Sequence, residues 1–212
     1  MNKFVIYCKS FNRDVDRAKV LLDTIKKHNK DNIPFYMSVP STDMELFKNK
    51  LGTDYYNLIT DESIIKKNID ESWIKQQIVK SEFWKTGECE NYLMVDSDSY
   101  FIKDFYLSDF MYDDDTPYTV MHECKDLLQF TSRRKMDFVK KSFVEDRLFV
   151  QNIFDRQGRQ FDFGPGPVIW SAKAWKSLKE NYIDPNGLTF ENLIEAKHCE
   201  FHWYGEWLLK MR

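Results

Sequence analysis

The chain has no cysteine pair at C-x-x-C spacing, no N-x-S/T sequon, no excess of positive charge and no apolar run near the length of a membrane span. Without C-x-x-C spacing, Cys8, Cys89, Cys124 and Cys199 do not read as a zinc or thiol-redox motif. Their scatter suits buried free thiols in a reducing compartment. A net charge of −3 argues against nucleic acid as the main partner, because neutralising phosphates requires a basic face. The one basic concentration, Arg133, Arg134 and Lys135 followed by Lys140 and Lys141, falls at helical spacing among acidic residues and reads as a solvated face. No segment reaches the ~20 apolar residues of a spanning helix. The apolar run in MNKFVIYCKSF is too short for a signal peptide. The expectation is therefore a cytoplasmic chain, or a soluble domain of a longer one. Repeats, low-complexity segments and linkers are absent too.

What is present is ordinary globular material. The 212 residues are 42% apolar and 31% charged, enough for one α/β domain over 1–212 and too few for two full ones. Aromatic residues are rich at 16%; a core and ordinary surface positions can absorb most of them, but Tyr and Trp also stack on sugar and base faces.

Residues 3–8, 34–39, 55–59 and 91–101 read as strands, with 118–122 and 168–171 as later ones. Ala18, Leu21, Leu22 and Ile25 fall at helical spacing over 14–29, with Asp14 as the cap. A short helix opens at Ser41-Thr42-Asp43 and stops at Gly52. Another runs over 72–87 from Ser72 to Gly87, with Ile74, Ile78 and Val79 on its core face. Long helices are expected over 133–154, from Ala172, and in the final EFHWYGEWLL stretch. Alternating strands and helices in the first half predict βαβ units and a mostly parallel central sheet flanked by helices.

The chemistry centres on Asp96-Ser97-Asp98, which closes the apolar run Tyr92-Leu93-Met94-Val95. In an extended chain, residues two apart face the same side, so both carboxylates are expected to converge on one ion, with the small Ser97 leaving room for a ligand. Open α/β sheets bind ligands at the carboxyl ends of their strands. Paired carboxylates holding Mg²⁺ or Mn²⁺ attract a diphosphate that bare carboxylates would repel. Such a cation stabilises the charge growing on a leaving diphosphate.

With this motif the chain resembles the GT-A glycosyltransferases, which have a Rossmann-like fold for nucleotide-diphospho-sugars. The likeness rests on YLMVDSDSYF, on the W-x-x-Q-Q-x-x-K helix (Trp73, Gln76, Gln77, Lys80), and on the late E-aromatic-x-x-Y-G segment (Glu200, Phe201, Tyr204, Gly205). Small bacterial and viral members share these features, among them the N-terminal domain of a multidomain chlorella-virus protein. The resemblance implies that Tyr7, Lys9, Ser10, Phe11 and Arg13 hold the nucleotide. Asp96 would lie near ribose and metal, Asp98 would be the most direct metal ligand, and Gln76, Gln77 and Lys80 would reach sugar or phosphates. It further implies a UDP-sugar donor, a glycan or glycoconjugate acceptor, and a loop at Phe163-Gly164-Pro165-Gly166-Pro167 that shapes the acceptor pocket. His202 stands where several retaining families place a third metal ligand, a slight lean towards retention. Asp162, Glu200 and Glu206 are the candidates for a catalytic base or for contacts to sugar hydroxyls. Each of these residues also has a plain structural reading, as core, turn or solvated face.

Two other classes fit parts of the pattern. Haloacid-dehalogenase-type phosphohydrolases also use a hydrophobic-D-x-D, but normally at the end of the first strand. A non-catalytic carbohydrate-binding module would account for the aromatics without the carboxylates.

Overall fold

The structure is a computed structural model that describes residues 1–211 apart from 67, 68, 70, 165 and 198. It holds a five-stranded sheet: β1 (Asn2–Lys9), β2 (Phe35–Val39), β3 (Asn57–Thr60), β4 (Cys89–Asp96) and β5 (Val168–Ser171). The order is β3-β2-β1-β4-β5. The first four strands are parallel and β5 runs antiparallel to β4. The result is the mostly parallel sheet flanked by helices that alternating elements predict, and it is compatible with a Rossmann-like fold.

Central parallel strands are covered on both faces and therefore read as continuous apolar runs. Here the two-residue period divides each run cleanly. Phe4, Ile6, Cys8, Leu93 and Val95 pack on one side with Ala18, Leu21, Leu22 and Ile25 of α1 (Val15–His28) and Phe47 and Leu51 of α2 (Met44–Leu51). Val5, Tyr7, Tyr92, Met94, Val168 and Trp170 face the opposite side. There they meet Ile74, Ile78 and Val79 of α4 (Ser72–Glu82), which follows the short α3 (Asp61–Ile64). Beyond the sheet lie α5 (Lys125–Arg133), α6 (Asp137–Ile153), α7 (Ala172–Leu178), α8 (Phe190–Ala196) and α9 (Glu200–Lys210). Most of the aromatic excess is core: Trp170, Trp175, Trp203, Tyr7, Tyr92 and Phe83 are all fully buried. Among the described residues no helix is long and apolar enough to cross a membrane.

Several boundaries differ from the sequence pattern, each for a local reason. β4 stops at Asp96 because the Ser99 N–H turns back to the Asp96 carbonyl at 3.0 Å, so Ser97 and Asp98 lie in a turn rather than on an extended strand. Residues 118–122 form no strand. At one end the Tyr118 N–H donates to the Phe110 carbonyl at 3.0 Å, and at the other His122 forms an isolated bridge with Asp162. The expected helix over 133–154 is broken by Lys135, whose φ of 55° lies in the left-handed region, and α6 begins only at Asp137. Ser72 is the first residue of α4 and Glu71 its cap position, with no side-chain capping bond; Asp14 likewise caps α1 by position only. Gly87, with φ 72°, ends the helical run after Thr86 as expected. Pro165 of the proposed acceptor loop lies outside the described residues.

The Tyr204-Gly205 pair has a structural job. The Tyr204 hydroxyl accepts the Ser171 N–H at 2.7 Å, tying α9 to the end of β5. A Cβ built on Gly205 would stand 2.0 Å from Cγ of the buried Phe163 ring, so α9 seats itself on that ring by lacking a side chain there. Alanine normally favours a helix over glycine by about 1 kcal/mol. Here Gly205→Ala is expected to destabilise by about 1–3 kcal/mol through overpacking. Urea denaturation of Gly205→Ala, alone and with Phe163→Leu, checks this: the second change should restore part of the loss.

Candidate functional site

The carboxyl ends of the four parallel strands lie along one edge of the sheet, and charged side chains follow each of them. β1 ends on Lys9, paired in register with Asp96 at the end of β4. The chain after β2 reaches Thr42 and Asp43, and β3 runs directly into Asp61. These residues line a cleft of about 480 Å³ together with Phe11, Asn12, Trp73, Lys75, Gln76, Ser97 and Asp98. A second hollow, about 340 Å³, continues past the shared residues Trp73, Gln76 and Asp96 to Gln77, Lys80, Cys199, Glu200 and Phe201. Both volumes suit small-molecule sites.

Two buried lysines organise this edge. Lys9 Nζ lies 3.0 Å from Asp61 Oδ2 and also donates to the Ser10 carbonyl. Burial raises the Asp61 pKa above its usual range, and the Lys9 charge opposes that shift. Lys80 reaches from α4 to Asp96 Oδ1 at 2.7 Å and stands 3.8 Å from Glu200 Oε1 at the first turn of α9. Burial alone would lower the Lys80 pKa, but the charges of Glu200 and Asp96 outweigh it and hold the ammonium protonated. Burial raises the Glu200 pKa, with Lys80 pulling the other way. The Asn12 N–H donates to Asp43 Oδ2 at 2.8 Å, fastening the loop after β1 to the loop after β2.

The structure gathers many of the expected residues here and sends others elsewhere. Lys9, Phe11, Trp73, Gln76, Asp96, Ser97 and Asp98 line the main cleft, and Gln77, Lys80 and Glu200 line its continuation. Asp98 is exposed, whereas Asp96 is partly covered by Lys80. Tyr7 is a correction: it is fully buried, its ring stacks on Phe83 at 3.8 Å between centroids, and its hydroxyl pairs with Ser38 Oγ at 2.8 Å. It shares its face of β1 with Lys9 but lies two residues short of the strand's carboxyl end, which places it in the core below the cleft. Ser10 is buried and Arg13 exposed, and neither lines the cleft. Glu206 is a second correction. Six residues after Glu200 it faces another side of α9, where it is buried in an ion pair with Arg156 Nη2 at 2.8 Å.

Asp162 and His202 belong to a separate group. Asp162 Oδ2 pairs with Arg147 Nη2 at 2.5 Å, and His202 Nε2 lies 3.4 Å from Asp162 Oδ1. Burial would raise the Asp162 pKa, but the neighbouring His202 imidazole, the Arg147 charge and bonds from Cys124 and Gly164 carry it well below the carboxylate range. It is a weak base for deprotonating an acceptor. Among the described residues, the three metal-ligating side chains found within 4.8 Å of one another are His122, Cys124 and Asp162, so His202 does not complete a triad with Asp96 and Asp98.

Two Mg²⁺- or Mn²⁺-binding requirements are met at the end of β4. The donors are carboxylate oxygens, and Mg²⁺ is commonly held by one or two carboxylates plus substrate phosphates and water. Gly166 leaves space beside Asp96 Oδ2, where a Cβ would come within 3.5 Å. With Oδ1 of Asp96 engaged by Lys80, Asp98 and the remaining Asp96 oxygen are the groups that would hold a cation.

Asp61 and Asp43 were missed, although Asp61 carried the same signal as Asp96: an apolar strand, here NLIT, running straight into a carboxylate. The chain belongs to a family of unknown function (DUF6492), whose sequence model matches residues 6–211. No curated protein matches it.

The Lys9–Asp61 pair generates a prediction. Removing one partner of a buried ion pair leaves an uncompensated charge and costs about 3–5 kcal/mol, whereas an apolar replacement of both is often neutral. Asp61→Asn is therefore expected to destabilise strongly, and Lys9→Met with Asp61→Leu far less than the sum of the single changes. A double-mutant cycle in urea measures this; additive losses would mean the two groups are not coupled.

Proposed function

We propose that this chain is a metal-dependent glycosyltransferase of the GT-A type, moving a hexose or deoxyhexose from a nucleoside diphosphate, UDP by preference, to a glycan or glycoconjugate hydroxyl. The observation that carries the reading is the cleft and its continuation at the carboxyl edge of the sheet, lined by exposed Asp98, by Asp96 and by two buried lysines. In this reading Phe11, Asn12 and Thr42 receive the nucleoside. Asp98 and Asp96 hold Mn²⁺ or Mg²⁺, which when bound neutralises the diphosphate as the glycosidic bond breaks. Lys80 fixes Asp96 and adds positive charge beside the leaving group. The sugar enters the hollow walled by Trp73, Gln76, Gln77 and Glu200.

Glu200 is the carboxylate best placed to touch the sugar or its acceptor. It is buried, it lies against Lys80, and burial raises its pKa above the usual carboxylate value, the direction a proton-transfer group needs. Asp162 and Glu206 are each committed to an arginine. With His202 turned to Asp162, the ground for favouring retention is gone, and the stereochemical outcome is left to measurement.

A ligand that binds only the native state stabilises it, by about 2.7 kcal/mol at a hundred times its Kd. Thermal unfolding against a panel of nucleotides and nucleotide sugars should rise by several degrees with UDP or a UDP-sugar in Mn²⁺. The rise should vanish in EDTA and in Asp98→Ala, whose own melting temperature should match the parent's because Asp98 is exposed. A shift that survives in Asp98→Ala would remove the metal assignment. Phosphate release from p-nitrophenyl phosphate, abolished by Asp96→Asn, would replace this reading with a phosphohydrolase.

A further inference from the structure

Away from the cleft, His122, Cys124 and Asp162 converge in a manner the proposed reaction does not use. His122 Nδ1 lies 2.8 Å from Cys124 Sγ, and Sγ lies 3.3 Å from Asp162 Oδ2. The backbone sets this spacing. His122 and Asp162 exchange N–H to carbonyl bonds of 3.0 and 2.7 Å, which locks the two segments side by side. Cys124 takes a left-handed conformation, φ 51°, uncommon for a residue with a side chain.

The chemistry around the group is that of a metal centre's surroundings. His122 Nε2 sits 2.8 Å from the Gly164 carbonyl, an acceptor only, so Nε2 carries the proton and Nδ1 offers its lone pair towards Sγ. Metal-binding histidines commonly donate their second nitrogen to a backbone carbonyl in this way. Asp162 is itself held from outside, by Arg147 at Oδ2 and by the Gly164 N–H at Oδ1, 3.2 Å away. His202, more than nine-tenths buried, points Nε2 at Asp162 Oδ1 from 3.4 Å, and neither of its ring nitrogens makes a hydrogen bond. A hollow lined by His122, Glu123, Cys124 and Lys125 opens the group to solvent.

We propose that His122 Nδ1, Cys124 Sγ and Asp162 Oδ2 form a site for a borderline-soft divalent cation, zinc by preference, distinct from the carboxylates at the end of β4. The donor set decides the metal: one thiolate, one imidazole and one carboxylate suit zinc, whereas the all-oxygen set at Asp96 and Asp98 suits Mg²⁺ or Mn²⁺. Tetrahedral zinc with ordinary bond lengths places its nitrogen and sulfur ligands roughly 3.5 Å apart. The observed 2.8 and 3.3 Å therefore require only a small spreading of the three side chains. Binding transfers the Cys124 thiol proton to solvent, leaving thiolate, neutral imidazole and carboxylate around the ion. Three protein ligands leave a fourth position for water, facing the hollow. The ion would clamp the 122–124 segment to the 162–164 loop, the loop that carries Phe163 beneath α9.

The test uses the full chain stripped with EDTA and then titrated with Co²⁺ as a spectroscopic stand-in for zinc, followed by Zn²⁺ with metal analysis after desalting. The expected result is one tightly held zinc per chain, and a cobalt complex with a thiolate charge-transfer band in the near ultraviolet that zinc displaces. Cys124→Ser and His122→Asn should each abolish the band and lower zinc affinity at least tenfold, while Cys199→Ser and Asp98→Ala should keep both. Circular dichroism of each variant establishes that it is folded. Zinc lost on desalting from the parent, a charge-transfer band that survives in folded Cys124→Ser, or zinc binding abolished by Asp98→Ala would each overturn the proposal. The retained Asp98→Ala signal also separates its outcome from that of the glycosyltransferase reading.

Discussion

The site depends on keeping two ammonium groups inside the protein at the carboxyl edge of a parallel sheet. Lys9 and Lys80 are both buried, and each is answered by carboxylates from other elements: Asp61 after β3 for Lys9, and Asp96 and Glu200 from β4 and α9 for Lys80. Removing charges from water is costly, and an ion pair of this kind is seldom the most stable filling for its volume. The arrangement makes sense as a charge template. The pairing of Lys80 with Asp96 fixes one carboxylate and leaves Asp98 exposed beside it. Without that pairing the end of β4 would present two carboxylates with no cation beside them, a poor platform for an anionic ligand.

The same dependence explains how the surrounding elements are set. α4 must bring Lys80 to within 2.7 Å of Asp96, and it does so by packing Ile74, Ile78 and Val79 against Val5, Tyr7, Tyr92 and Met94. α9 must place Glu200 beside Lys80. It is anchored by the Tyr204 bond to Ser171 and by the bare face at Gly205 that admits Phe163. The late E-aromatic-x-x-Y-G segment is thus one buried carboxylate beside Lys80 followed by two residues that position it.

Much of this was legible in the sequence because it rests on periodicity. Apolar runs ending in charge located β1 and β4, and helical spacing located α1 and the core face of α4. What was not legible depends on direction and on partners distant in the chain. The turn closed by the Ser99 N–H defeats the alternation argument for Asp96 and Asp98, although both still line one cleft. Tyr7 shares a strand face with Lys9 yet lies two residues deeper, within the core, and Glu206 finds Arg156 some fifty residues earlier. His122, Cys124 and Asp162 gave no motif because forty residues separate the first from the last, and only the bridge between their backbones unites them.

The central claim is that one divalent cation and a nucleoside diphosphate share the cleft at the end of β4. Crystals grown with Mn²⁺ and UDP, measured near the manganese edge, test it most directly. The account predicts an anomalous peak within coordination distance of Asp98, bridged to the diphosphate, with the uracil ring lying against Phe11. Manganese bound away from Asp96 and Asp98, or a nucleotide bound outside the cleft lined by Lys9, Phe11 and Trp73, would contradict it.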